Sequence, residues 1–105
     1  MISFTQTVTG KSQTDGAFII TPDSSDIMCR YQVEVEVDAV PSAGSLAVAV
    51  RSPGAREFVT LDGSFDLTGT DLLKIFGPCF AAEIRFTPTG FDSGNTYNVH
   101  VIAGV

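Results

Sequence analysis

The chain has no tryptophan, one histidine, two cysteines and only six basic residues, and each shortage excludes something. Carbohydrate-binding modules stack sugar rings on aromatic platforms. Without tryptophan, and with Tyr31 and Tyr97 both at inward-facing strand positions, this chain has little to build one from. A single histidine, His100, excludes a His-rich metal site, and neither Cys29 nor Cys79 has a second cysteine or histidine at ligand spacing. The six Lys and Arg are scattered from Lys11 to Arg85 against twelve acidic residues, for a net charge of −6. Nucleic acids and anionic membranes are bound by clustered cations, so neither is an expected partner. No apolar stretch approaches the ~20 residues of a spanning helix. The opening "MISFTQTVTG" shows no basic n-region and no apolar h-region, so the expectation is cytosolic synthesis without a signal peptide.

What remains is apolar for its length, with 44% hydrophobic and 17% charged residues, enough for a core and unlike a disordered chain. At 105 residues it makes one domain, residues 1–105. Folding at this size buries roughly 60–70% of the unfolded surface, so no metal is needed for stability. Cytosolic synthesis disfavours disulfides, so Cys29 and Cys79 are expected as free, buried thiols. One staple across the sheets is the alternative.

The pattern is of short runs with a period of two, separated by turn residues, and no helical period is visible. "ISFTQTVT" and "AFIITP" open the series. "CRYQVEVEVD" is the clearest strand: Cys29, Tyr31, Val33, Val35 and Val37 share one face, and Arg30, Gln32, Glu34, Glu36 and Asp38 share the other. "SLAVAVRS" and "EFVTL" follow, and the Asp-Gly pair in "VTLDGSFDL" predicts a two-residue hairpin with Phe58, Phe65 and Leu67 on one face. "TDLLKIF" reads as a strand in preference to a single helical turn. "AAEIRFTPTG" and "TYNVHVIAGV" complete the chain. Seven to nine short strands without crossover helices predict an all-β fold, an antiparallel β-sandwich of jelly-roll or Ig-like Greek-key topology. A closed barrel is the alternative.

Candidate chemistry is sparse. His100 lies on the polar face of its strand, and no G-x-S-x-G elbow frames a serine for it. Cys29 points inward by strand parity, and Cys79, after a Gly-Pro turn, has nothing nearby to lower its pKa. Asp23/Asp26 and Asp62/Asp66 are too few oxygens for calcium and read as solvated turn carboxylates, with Asp23 and Asp26 suited to capping a turn. "SAGS" matches no phosphate loop. The expectation is therefore a protein that is not an enzyme, with no catalytic residue, metal or cofactor.

The run from Leu46 to Val50 alternates large with small, not apolar with polar. Leu46, Val48 and Val50 suit the core, which leaves Ala47 and Ala49 facing outward where Thr, Lys or Glu is usual. A covered second face accounts for this. The cover comes either from the same chain or from another subunit, and the remaining reading is two exposed alanines of no consequence. Ala47 and Ala49 are candidate interface positions.

The segments "VDAVPSAGSLAVAVRSPGAREFVTLDGSFDLTGTDLLKIFGP" and "AAEIRFTPTGFDSGNTYNVHVIAG", about two-thirds of the chain, resemble the small β-sandwich virion proteins of tailed bacteriophages. The resemblance implies a structural protein that decorates or cements a capsid, with the major capsid protein or other virion proteins as partners. A tail, baseplate or head–tail junction component is the variant reading, and a carbohydrate-binding module the alternative from another class. It further implies residence in the virion after synthesis in the host bacterial cytoplasm. Virion proteins occupy symmetric positions, so a homotrimer or another ring is the natural assembly. The resemblance carries no catalytic residues to transfer.

Overall fold

Alternating β-branched and polar residues, broken by glycine and proline, produce nine strands in the computed structural model, which describes residues 1–23 and 26–105. In chain order these are β1 (Ile2–Lys11), β2 (Phe18–Ile20), β3 (Cys29–Val37), β4 (Ser45–Arg51), β5 (Val59–Thr60), β6 (Phe65–Asp66), β7 (Leu73–Cys79), β8 (Glu83–Thr89) and β9 (Tyr97–Gly104). A 3-10 turn, Gln13–Asp15, interrupts the first connection. The run read as a strand in preference to a helical turn is β7. Of the "PDSSD" loop, residues 24 and 25 lie outside the described residues, and with them the turn expected of Asp23 and Asp26.

The pairing explains the topology. β1 pairs with β9, β2 with β8, β3 with β7, and β4 with both β5 and β6, all antiparallel. The chain is therefore one long hairpin that turns back between β4 and β5, and its successive rungs alternate between two sheets. Rolling this ribbon brings β9 against β3 and β8 against β4. The resulting orders are β1-β9-β3-β7 and β2-β8-β4-β5, with β6 beside β5 on the outer edge of β4. This is the jelly-roll arrangement.

Strand parity fills the interior as the alternation requires. Tyr31, Val33 and Val35 of β3, Tyr97, Val99 and Val101 of β9, Ile84 and Phe86 of β8, and Leu46 and Val48 of β4 are all buried. Rings pack within and between the sheets: Phe18 stacks on its sheet neighbour Phe86 at 5.2 Å and Tyr31 on its neighbour Phe76 at 5.1 Å, Phe18 meets Tyr97 of the facing sheet at 6.3 Å, and Phe91 meets Tyr97 edge-on at 5.5 Å. Burial pushes the Tyr97 hydroxyl up to about 12, with the Asp15 charge adding to it, so the ring enters the core with its proton on. Each fully buried large side chain contributes about 1.5–3 kcal/mol.

Two expectations are corrected. The Asp62-Gly63 pair does not close a hairpin, because β5 and β6 do not pair with each other. Both lie along β4, with Thr60 opposite Ala49 and Phe65 opposite Leu46. They form one interrupted edge strand, and the extra residues between them bulge outward at Asp62-Gly63. Gly63 does adopt the positive φ of +77° expected of it, but in a bulge. The open edge of β4 supplied a ladder for the whole segment, and following it buries both Phe65 and Leu67 completely. Phe58 consequently does not share their face. It points outward, where it meets Arg85.

One end of the sandwich is tied by polar side chains. Asp92 accepts from the Ser42 N–H at 2.7 Å and from its hydroxyl, joining the β3–β4 loop to the β8–β9 loop. Asp38 accepts from the Thr96 N–H, and Gln13 accepts from the Phe91 N–H while donating to the Pro88 carbonyl. The Ser42 N–H and hydroxyl hold Asp92 below the ordinary aspartate value of 3.8. The Ser12 N–H does the same for Asp15, and the Thr68 hydroxyl for Asp66. Carboxylates with depressed folded-state pKa values stabilise above their unfolded values and lose that contribution as pH falls through the folded ones. The thermal midpoint is therefore expected to be insensitive to these groups above about pH 5 and to fall below about pH 4. In Asp92→Asn the acid-side fall should be shallower. An identical pH profile would show that this loop tie contributes nothing.

Candidate functional site

The two alanines of β4 lie opposite polar residues of the same chain. Ala49 lies opposite Thr60 on β5 and opposite Arg85 on β8, and Ala47 lies opposite Thr87. The Arg85 guanidinium sits 4.4 Å from the centre of the Phe58 ring, so a side chain from β8 and one from the residue just before β5 meet over β4. Beside them, Arg51 Nε pairs with Glu83 Oε1 at 2.8 Å. A cation–π contact spanning a strand needs a small residue beneath it, and Ala49 is that residue, only 4% exposed. The outward parity read from the sequence holds, and Ala49 is covered by its own chain. Ala47 is half-buried. Ala49→Arg is expected to cost about 1–3 kcal/mol through overpacking, read as a lower urea midpoint. A variant as stable as the parent would show that Arg85 and Phe58 can part without loss.

His100 does face outward, on β9, and the structure gives it partners that sequence reading did not. Its Nδ1 lies 2.9 Å from Thr7 Oγ1, and its Nε2 lies 2.5 Å from Glu36 Oε1. Thr7 is its direct neighbour on β1, and Glu36 sits diagonally across on β3, two residues beyond the in-register Glu34. The hydrogen bond from His100, aided by its charge, holds Glu36 below the usual carboxylate range. A hydroxyl, an imidazole and a carboxylate in line are the ingredients of nucleophilic catalysis. That chemistry also needs donors converging about 3 Å from the nucleophile's target atom. Here the flanking backbone groups belong to the β1–β9 ladder, and the three side chains lie along an exposed sheet face. The arrangement clasps three adjacent strands. The signal that could have found it is in the sequence: polar residues at outward parity on three strands that prove to be neighbours.

Two concavities involve the sheet margins. A cavity of about 290 Å³ opens between the sheet edges, floored by Val33, Val48 and Phe65 and rimmed by Asp62, Gly63 and Lys74. Lys74 has inward parity, opposite buried Val33, and its ammonium lies 5.6 Å from the Phe65 ring centre. An inward lysine on an edge strand discourages edge-to-edge pairing with another sheet. The second concavity, about 570 Å³, lies at the end opposite the polar ties and is lined by Asp26, Met28, Ser52, Pro53, Pro78, Cys79 and Phe80. Met28 (49% exposed) and Phe80 (40%) flank it, with Ile27 alongside in sequence. A further groove continues from Met28 and Pro78 to Val105. Three loop or terminal segments thus place large apolar side chains at one end of the sandwich. The sequence signal was "DIMC" and "PCFAAE", where apolar residues stand in connections that turn chemistry would make polar.

Cys29 and Cys79 are both free thiols. Cys29 is buried as expected, but Cys79 is only partly buried because it borders the larger groove. Both belong to the same sheet, so a staple between them would not cross the sandwich. Asp66 is occupied by the Thr68 N–H and hydroxyl, and Asp62 lies apart on the bulge. Among the described residues no three of His, Cys, Asp and Glu gather in a metal-binding group. Among the same residues no helix is long and apolar enough to cross a membrane. Comparison with protein-family models, with curated proteins and with solved structures gives no match.

Proposed function

We propose that this chain is a non-enzymatic structural protein of a phage virion that decorates or cements the capsid through protein–protein contacts. The observation that carries the reading is the apolar end of the sandwich, where Met28 and Phe80 flank a groove edged by Pro53 and Pro78. Contiguous exposed apolar surface on a small soluble domain marks an interaction site. The opposite end is closed by polar ties, so the two ends differ in kind, as a decorating protein with one end on a lattice requires. The jelly roll adds support, since viral capsid domains use it, although lectin domains and cupins do as well. Sugar binding is the weaker reading, because both tyrosines are spent in the core. A homotrimer or ring would repeat the same contact at each symmetric position.

The test is mass spectrometry of purified virions, followed by reconstitution of particles lacking the protein. The chain should be found in particles and should rebind to depleted ones. A Met28→Asp/Phe80→Asp variant should keep its β-sheet circular dichroism and fail to rebind. Absence from particles would remove the reading, and full rebinding by the variant would remove the assigned end.

A further inference from the structure

We propose that Cys29 and Cys79 form an oxidative modification site, which a low-molecular-weight disulfide such as oxidised glutathione converts to an intramolecular cross-strand disulfide. The two residues are direct partners in the antiparallel ladder between β3 and β7. In such a pair the side chains stand on the same face with Cβ atoms about 4.5–5.5 Å apart, within a small shift of the ~3.5–4.5 Å that a disulfide needs. The register is irregular just here: Cys29 faces Cys79, while Tyr31 faces Phe76, so three steps on β7 match two on β3. Among the described residues β7 is also the outermost strand of its sheet, paired with β3. The end of an edge strand beside a bulge is where such a shift is easiest.

Access differs between the two thiols, and this sets the order of events. Cys79 borders the open groove between Pro78 and Phe80, whereas Cys29 is fully buried beneath it with its sulfur 3.4 Å from Ser3 Oγ. In the first step the Cys79 thiolate, having lost its proton to solvent, attacks oxidised glutathione. One Cys79–glutathione disulfide forms and one glutathione thiolate leaves. In the second, Cys29 gives up its proton, attacks the Cys79 sulfur and expels the second glutathione. The sum is two protein thiols oxidised to one disulfide and one oxidised glutathione reduced to two thiols. Burial, and the neighbouring Cys29, push the Cys79 thiol up, so the first exchange is slow and runs over hours. The product would bind the free edge of the sheet to its neighbour and close a loop of about fifty residues, which favours the folded state. A chain made reduced in a cytosol would thus stiffen on reaching an oxidising medium.

The experiment treats the purified, reduced full chain with oxidised glutathione and follows intact mass and free thiols. The expected product is two hydrogen atoms lighter, has no free thiol even after denaturation, and melts about 10 °C or more higher, reversibly with reductant. Cys29→Ala should stop at the first step and retain one glutathionyl group. Cys79→Ser should take up none, because its remaining thiol is buried. Two free thiols after prolonged exposure, or a persistent glutathione adduct on the unmodified chain, would overturn the proposal. Should Cys29→Ala fail to fold, the mass and midpoint of the unmodified chain still decide. The result is independent of any partner, so it stands or falls apart from the virion reading.

Discussion

Replacing Phe86 with alanine is expected to destabilise the protein by about 3–5 kcal/mol, a large part of the about 5–15 kcal/mol typical of a domain. Phe86 is fully buried at the middle of β8, an interior strand paired with β2 on one side and β4 on the other. Its ladder partners are Phe18 and Val48, and the Phe18 ring stacks on it with planes 20° apart. Truncation therefore removes the ring's own burial, strips one face from Phe18, and leaves a void that two hydrogen-bonded neighbours cannot close. Urea unfolding followed by circular dichroism should show a much lower midpoint with an unchanged slope. Phe58→Ala is the control: the ring is only partly buried and loses mainly its contact with Arg85, so the cost should be clearly smaller. Equal losses at the two positions would mean that the outer face of β4 is packed as tightly as the core.

The strands were legible because alternation is a local record of a two-faced environment. "CRYQVEVEVD" names its buried and exposed faces residue by residue, and the structure keeps both. The pairing was less legible. Asp62-Gly63 carries the local chemistry of a hairpin, yet the open edge of β4 offered the following residues a ladder and a place for Phe65 and Leu67 in the core. Tertiary pairing overrode the turn preference, while the positive φ of the glycine survived in the bulge. Ala49 shows the reverse: the large–small alternation raised the question of a cover, but a contact between Phe58, just before β5, and Arg85 of β8 across β4 depends on strand order, which alternation does not encode. The jelly roll likewise became distinguishable from an Ig-like key only once β9 was seen beside β3 and β8 beside β4.

The surface features were the least legible. Thr7, Glu36 and His100 are separated by up to 93 residues and meet only because β1, β9 and β3 are adjacent. The apolar end is assembled from three connections, and loop residues carry no periodicity that would betray a shared surface. Cys29 and Cys79 are fifty residues apart, and their direct pairing depends on an irregular register that no spacing rule supplies. Each of these is a product of which strands are neighbours. A fold class can be read from single strands, but a site on a sandwich needs the order of the strands.

Gly44→Val is expected to cost about 3 kcal/mol or more, from two penalties that act on the same atom. The glycine has φ of +137°, a conformation that L side chains rarely adopt and that costs of order 1–3 kcal/mol when forced. A Cβ there would also lie 2.9 Å from Phe91 Cα and 2.9 Å from its Cδ1, closer than packed carbons approach. Neither neighbour is free to retreat. Phe91 is buried with its ring edge-on to Tyr97, and its N–H is held by Gln13. The Gly44 carbonyl in turn accepts the Leu67 N–H at 3.0 Å, so moving the loop away would break the seam that brings Leu67 into the core. Because one clash is with backbone, shrinking the Phe91 side chain should not restore stability. Gly44→Ala combined with Phe91→Leu is therefore expected to be no more stable than Gly44→Ala alone, by urea midpoint. Recovery in the double variant would show that the ring, not the backbone, sets the limit. A fully stable Gly44→Ala would show instead that this loop swings clear of Phe91, and that the polar ties of Asp92, Asp38 and Gln13 hold this end without it.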